Sequence, residues 1–418
     1  GVQLIRIIDD GLNKLLMKIL YIASDTNLSY NQVGGAGTHM RATIQYLEKD
    51  HQVIQAIGGD LIARNHGIQE KNTISRQKTW KSHIPNFIKY LFQDFRIIQR
   101  DRDVLVKTEE LIKEYRPDVI YERSCYGYST GYKLAGKYNI PRCMETDVLM
   151  FELKRGATSF LFNRLFYFYL EKIKFSTADA ITVQCEFSIE LCRKYWKIKH
   201  DRVFNKDLGI DLNKISLDSD ISSFEDRYEL KDKFVIAFVG LFQKYQKVHL
   251  LLEAAEHLKD VPEICFVIAG AGWKYEELTS EINKKNLKNI LFIGKLPPEK
   301  VYQIYRRMDL GIIPDCAYHM YPVKYLEYCS YKKATLVPRY QVFNRFFPSE
   351  DDFNNFSFVP GNVNNMAEKI LKLKGQNLYR TTIAEHLCEY VKTNHTWDIC
   401  GKHVEQALIE SINFKKSK

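Results

Sequence analysis

Lys324 and Glu327 stand three residues apart in YPVKYLEYCSYKKATLV, Tyr321–Val337, where Pro322 reads as the entry to a helix. That spacing puts both on one helical face. A carboxylate there can accept two hydrogen bonds from a ribose diol, while the helix start faces phosphates. Taken alone, the two also suit an ordinary intrahelical ion pair. A second basic site lies in VGLFQKYQKVHLLLEAA, Val239–Ala255, where a strand ends at Gly240 and Lys244 and Lys247 flank the next helix start. That loop suits a diphosphate, or it is a solvated basic turn. A third is GGAGTHMR, Gly34–Arg41, in which Gly35 and Gly37 allow close backbone approach and His39 falls in the first helical turn. It is not the dinucleotide fingerprint G-x-G-x-x-G. Last, YERS and METD set Glu122 and Glu145 at adjacent strand ends. Both are expected to face one crevice, as hydroxyl ligands or proton-transfer groups, with His39 as a third candidate. The other reading of Glu122 is a structural pair with a basic neighbour.

Strands and helices alternate along the chain. KILYIAS, HQVIQAIG, DVIYER, PRCMETD, AITVQ and VFNKDLGID read as strands of the first half. FVIAFVG, ICFVIAG, NILFIG, LGIIP and ATLVP read as strands of the second. Helical patterns fall between them, which predicts two doubly wound parallel sheets, each binding ligands beyond its strand carboxyl ends. The expected divisions are an N-terminal domain over 17–211, a linker over 212–233, a C-terminal domain over 234–385 and a helical tail over 386–418 that packs back on the first domain.

The 61 Lys and Arg exceed 51 Asp and Glu, and the charge of +10 favours anionic partners. With no zinc-ligand spacing and no RNA-binding signature, a diphosphate or an anionic membrane fits better than nucleic acid. Nine scattered cysteines without a C-x-x-C read as buried, reduced thiols of a cytoplasmic protein. No apolar run reaches the roughly 20 residues of a membrane span. Residues 1–16 lack the marks of a signal peptide, and Met17 is the expected start. Two segments, Trp80–Arg102 and Phe160–Phe175, interleave basic and large apolar side chains. They suit a peripheral contact with the inner membrane face beside a lipid-linked acceptor, or else a core.

Taken in order, these motifs resemble GT-B glycosyltransferases of family 4 over nearly all of Met17–Glu410. PVKYLEYCSYKKATLV is similar to the second half of that family's E-x7-E motif, and GGAGTHMR to its glycine loop. VIYERSCYGYSTGYKLAGKYNIP followed by METD resembles a branch reading IYERY…G…A…GIP…E. AGAGWKYEEL matches a G-x-G helix start, and HTWDI the closing aromatic helix. The resemblance implies an α/β GT-B fold of two Rossmann-like domains facing a central cleft, acceptor domain first. It implies a retaining, hexosyl-type transferase of polysaccharide synthesis that needs no metal or cofactor and takes a nucleotide-sugar donor and a glycan or lipid-linked acceptor. Glu327 would hold the ribose and Lys324 lie beside the diphosphate. Gly35, Gly37 and Gly240 would approach the phosphates, Gly270 and Gly272 would carry the G-x-G start, and Gly294 and Leu296 would line the base pocket through backbone groups. A donor phosphate oxygen would take the acceptor proton. Three departures stand out: His319 where the first glutamate falls, Gln243 and Gln246 where basic residues are usual, and Leu208 for an asparagine. They keep a non-catalytic sugar-nucleotide-binding protein as the alternative; an epimerase and an NAD-linked dehydrogenase fit the motif order less well.

Overall fold

The computed structural model describes residues 6–7, 14–32, 34–63, 86–146, 161–198, 200–215 and 220–417. Of the segments singled out above, residues 80–85, Asp147, Phe160 and most of 1–16 lie outside these. The chain divides into two compact units, one formed by Gly1–Asp207 with Trp397–Lys418 and the other by Leu208–Thr396.

Unit 1 is built on six parallel strands: β1 (Lys18–Ala23), β2 (Gln52–Ile57), β3 (Val119–Arg123), β4 (Arg142–Thr146), β5 (Ala180–Val183) and β6 (Val203–Asn205), in the order β2-β1-β3-β4-β5-β6. Strands buried on both faces read as continuous apolar runs, and KILYIA is buried from its second residue on. One face of the sheet carries Ile19, Tyr21, Tyr121 and Cys143 against Met40 and Ile44 of the Gly35–Leu47 helix. The other carries Leu20, Ile22 and Ile120 against Ile112 and Leu134. The first face is completed from far along the chain, by Val404, Ala407, Leu408 and Ile412 of the Trp397–Lys416 helix. Gly401 of that helix lies so close to Tyr46 that a Cβ would fall 2.1 Å from its ring.

Unit 2 has β7 (Phe234–Val239), β8 (Ile264–Ala269), β9 (Ile290–Gly294), β10 (Leu310–Ile312), β11 (Thr335–Pro338) and β12 (Ser357–Phe358), all parallel, in the order β9-β8-β7-β10-β11-β12. FVIAFV and ICFVIA are buried throughout. The stretch 212–233 is not bare linker: it holds a 3-10 turn at Leu212–Lys214 and a helix at Ser222–Arg227, within unit 2. The helix Asn377–Asn394 also belongs to unit 2, so the return to unit 1 comes at Trp397 rather than at 386. Read as a strand through Asp211, VFNKDLGID pairs with β5 only over Val203–Asn205; Asp207 takes a left-handed φ of 56° and ends that ladder, and Ile210 bridges Thr396 instead.

Candidate functional site

In an open parallel sheet, ligands gather beyond the carboxyl ends where strand order reverses. In unit 2 that point lies between β7 and β10, which pair through Leu310–Ile236 and Gly311–Ala237. Gly240 leaves β7 here with φ 144°, and a Cβ on it would sit 2.6 Å from the Lys324 ammonium. Glycine is what lets the lysine in. Lys324 sits in the first turn of the Val323–Ser330 helix, whose entry Pro322 takes an extended conformation. Its Nζ lies 3.9 Å from the centre of the Phe238 ring and 3.0 Å from the Gln246 side-chain amide, whose oxygen is assigned to face it because an ammonium can only donate. Burial pushes the ammonium down to about 7, and the Glu327 carboxylate only partly offsets this. Glu327, one turn on, accepts from the Tyr305 hydroxyl at 2.9 Å, and burial holds its carboxyl above the usual carboxylate range.

The two loop lysines separate. Lys244 is exposed in the Lys244–Gln246 3-10 turn. Lys247 takes a left-handed φ of 45° and pairs at 2.6 Å with Asp315, a buried carboxylate just past β10. Asp315 also accepts from the Tyr340 hydroxyl at 2.9 Å and the Cys316 amide at 2.8 Å. Gly270 and Gly272 pack on the Gly240 and Phe242 carbonyls, so they close the turn beside the lysine loop. Gly294 ends β9 next to the Tyr275 hydroxyl, Tyr275 stacks on Phe292, and Leu296 is half-buried beyond it. His319 is buried between β10 and the helix, edge-on to Tyr318 at 4.9 Å.

In unit 1 the strand order reverses between β1 and β3. Gly35 is exposed at its helix start, while Gly37 lies beneath the Gln32 carbonyl, and Arg41 binds the Tyr30 and Gln32 carbonyls at 2.7 and 2.8 Å. His39 and Glu145 do meet, at 3.2 Å. Lys206, wholly buried, bridges them: its Nζ lies 2.9 Å from Glu145 Oε1 and 2.6 Å from His39 Nε2. The Arg123 guanidinium, 2.9 Å from Nδ1, packs alongside as a second cation, and the Trp397 ring stacks on His39 at 5.6 Å. Protonating His39 would set three cations around one carboxylate. The cluster suits orientation of Arg123, the member nearest solvent, better than proton transfer by His39.

Glu122 does not join them, which corrects the shared crevice. Glu145 pairs in register with Arg123, and Glu122 with Met144. Side chains alternate along a strand, so Glu122 faces the opposite side of the sheet. There it is buried against Arg142 at 2.5 Å, and Arg142 also binds Thr177. This is the structural pair. Arg123, Lys206, Trp397, Asp315 and Tyr305 were not assigned from sequence; only a basic residue at each of two strand ends, Arg123 and Lys206, hinted at them.

Residues 220–387 match the family profile described as Glycosyl transferases group 1. An uncharacterized glycosyltransferase of Methanocaldococcus jannaschii is 24% identical over 173 residues, covering 41% of this chain and 47% of that protein. The O-antigen chain mannosyltransferase C of Escherichia coli is 34% identical over 80 residues, 19% of this chain and 20% of that one. The chain thus aligns with about half of one curated relative and a fifth of the other. HepE of Anabaena, solved in complex with UDP, superposes with a TM-score of 0.69 at 14% identity, covering 94% of this chain and 99% of that one.

Proposed function

We propose, from a chain of GT-B fold whose residues 220–387 belong to the glycosyl transferases group 1 family, that this protein moves a hexosyl group from a nucleoside diphosphate sugar to a glycan or lipid-linked glycan with retention. The observation that carries the reading is Lys324 beneath Gly240, with Glu327 one turn on, at the switch point of unit 2. Glu327 accepts from the ribose hydroxyls; its link to Tyr305 holds it in place. Lys324 donates to the diphosphate, and Lys247, fixed by Asp315, adds a second positive charge. As the bond from the anomeric carbon to the phosphate oxygen breaks, these cations stabilise the charge on the leaving diphosphate. The acceptor hydroxyl oxygen bonds to the anomeric carbon on the same face, and its proton passes to the leaving phosphate oxygen. No metal ion is required for this. The O-antigen relative supports a role in cell-surface polysaccharide synthesis, and nine free thiols suit the cytoplasm.

His319, in place of a carboxylate, favours one rival, donor binding without turnover. Purified protein incubated with UDP-glucose and other nucleotide sugars, with and without a chelator, separates the two. Slow release of free sugar, unchanged by the chelator, is expected. Tight donor binding without any release supports the rival.

A further inference from the structure

We propose that unit 1 docks on an anionic lipid bilayer through the outer faces of two neighbouring helices, Asn86–Tyr115 and Leu161–Thr177. The two are joined where the Tyr167 hydroxyl donates to Asp94 at 3.0 Å and where Gly127 brings Tyr167 and Ile97 together. Tyr167, Phe168 and Phe175 turn inward, the last two with Trp196. Val104 and Ile112 of the first helix are buried as well, but a second set of large apolar residues is not. Leu91, Phe92, Phe95 and Ile98 recur at three- and four-residue spacing along one face, and Val106 follows about two turns on, with Phe92 61% and Phe95 67% exposed. Leu165, Phe166, Tyr169 and Ile173 do the same on the second helix, each more than 40% exposed. Nowhere else in the described residues do so many exposed large side chains lie on adjoining elements, and contiguous apolar exposure marks an interaction surface.

Charge decides which partner. Over 91–102 and on the second helix the acids are withdrawn: Asp94 holds Tyr167, Asp101 holds Ser129 and Thr130, and Glu171 is buried; the exposed acids Asp103, Glu110 and Glu114 lie beyond this stretch, towards the C-terminal half of the first helix. What points outward from 91 to 102 is Arg96, Arg100 and Arg102, joined by Lys172 on the second helix. A face of rings and leucines bordered by arginines matches the headgroup level of an anionic leaflet, where the rings sit among the acyl boundary and the cations meet phosphates. None of the described helices is long and apolar enough to cross a membrane, so this is attachment to a surface.

The full chain is spun with vesicles of phosphatidylcholine, and with vesicles of phosphatidylcholine and phosphatidylglycerol, at low and high salt. Pelleting with the anionic vesicles is expected at low salt and should fall at high salt, as the screening length shrinks from about 10 Å to about 3 Å. Arg96→Gln with Arg100→Gln and Arg102→Gln should cost about fivefold in partition per charge removed. Phe92→Ser with Phe95→Ser should weaken binding at both salts. All five side chains are exposed, so melting temperature and UDP-glucose binding should stay unchanged. That keeps this result separate from the donor reading, which vesicle binding does not require. Equal partition on both vesicles, or none, overturns the proposal. So does a concentration-dependent dimer that Phe95→Ser abolishes, which would assign the face to a second copy of the chain.

Discussion

Lys324 makes donor binding depend on pH in a way that can be calculated. Its ammonium is lowered from 10.5 to about 7, because burial over the Phe238 ring beside Gly240 disfavours the charge. A diphosphate placed against it restores the charge and must bring a proton with it whenever the free lysine is neutral. Donor affinity is then full below pH 7 and falls as pH rises towards the bound-state value. With a free-state value near 7, affinity at pH 8 should be about tenfold lower than at pH 6, or roughly 1.4 kcal/mol. Binding at pH 8 should take up about 0.9 proton by the same reasoning. UDP-glucose is the right ligand, since it lacks a terminal phosphate monoester titrating in this range. Calorimetry in two buffers of different ionisation enthalpy reads the proton count directly. Lys324→Arg, charged throughout, should bind with a flat profile, and uridine should be insensitive to pH for the native chain. A flat UDP-glucose profile for the native chain, with no proton exchanged at pH 8, would refute both the placement of the diphosphate and the neutral lysine. The sign for stability is the opposite of that for a lysine whose ammonium gains an ion-pair partner on folding. The ligand-free protein holds a neutral lysine that the unfolded chain protonates, so its stability should rise as pH climbs from about 7 towards 10.5.

Glu327→Gln should keep its link to Tyr305 yet weaken UDP binding by about 1.5–3 kcal/mol, the cost of a charge-assisted hydrogen bond; an unchanged dissociation constant removes Glu327 from the ribose. Lys247→Ala should reduce UDP-glucose affinity well beyond uridine affinity, whereas Lys244→Ala, at an exposed position, should change neither; calorimetry on the pair decides between them. Gly240→Ala should weaken donor binding, because the methyl group displaces the Lys324 ammonium, and should cost about 1–3 kcal/mol of stability through its positive φ; denaturant midpoints with donor titrations test both. Glu122→Gln leaves Arg142 buried without its counter-charge and should cost about 3–5 kcal/mol in unfolding experiments, with turnover per folded molecule intact.

The sheets were legible because buried parallel strands need no partner to show themselves: FVIAFV and ICFVIA are apolar at every position, and in the structure every position is buried. Strand length was less legible where the run continued past the ladder, as at Lys206–Asp207, since the turn is set by a left-handed Asp207 and by Glu145, far back in the chain. Glu122 shows a different failure. Alternation along YER puts it opposite Tyr121 and Arg123, but which side Glu145 shares depends on the register of β4 against β3. Lys324 and Glu327 could be read together because a helix relates them locally. Lys247 with Asp315, and His39 with Lys206 and Trp397, are contacts between distant segments, and only packing brings them together.

Completing unit 1 with the Trp397–Lys416 helix makes unit 2 an insertion within it, and this bears on the order in which the chain can fold during synthesis. Unit 2 is continuous from Leu208 to Thr396, so it has all its own residues before the closing helix has left the ribosome. Unit 1 must wait, with the side of Ile19, Tyr21 and Tyr121 open, until Val404 and Leu408 arrive to cover it. In that interval a chaperone finds apolar surface on the half made first and a finished core in the half made later. Released chains ending at Thr396 should therefore show a protease-resistant 208–396 fragment and a sensitive first unit, inverting the usual N-to-C sequence of domain maturation.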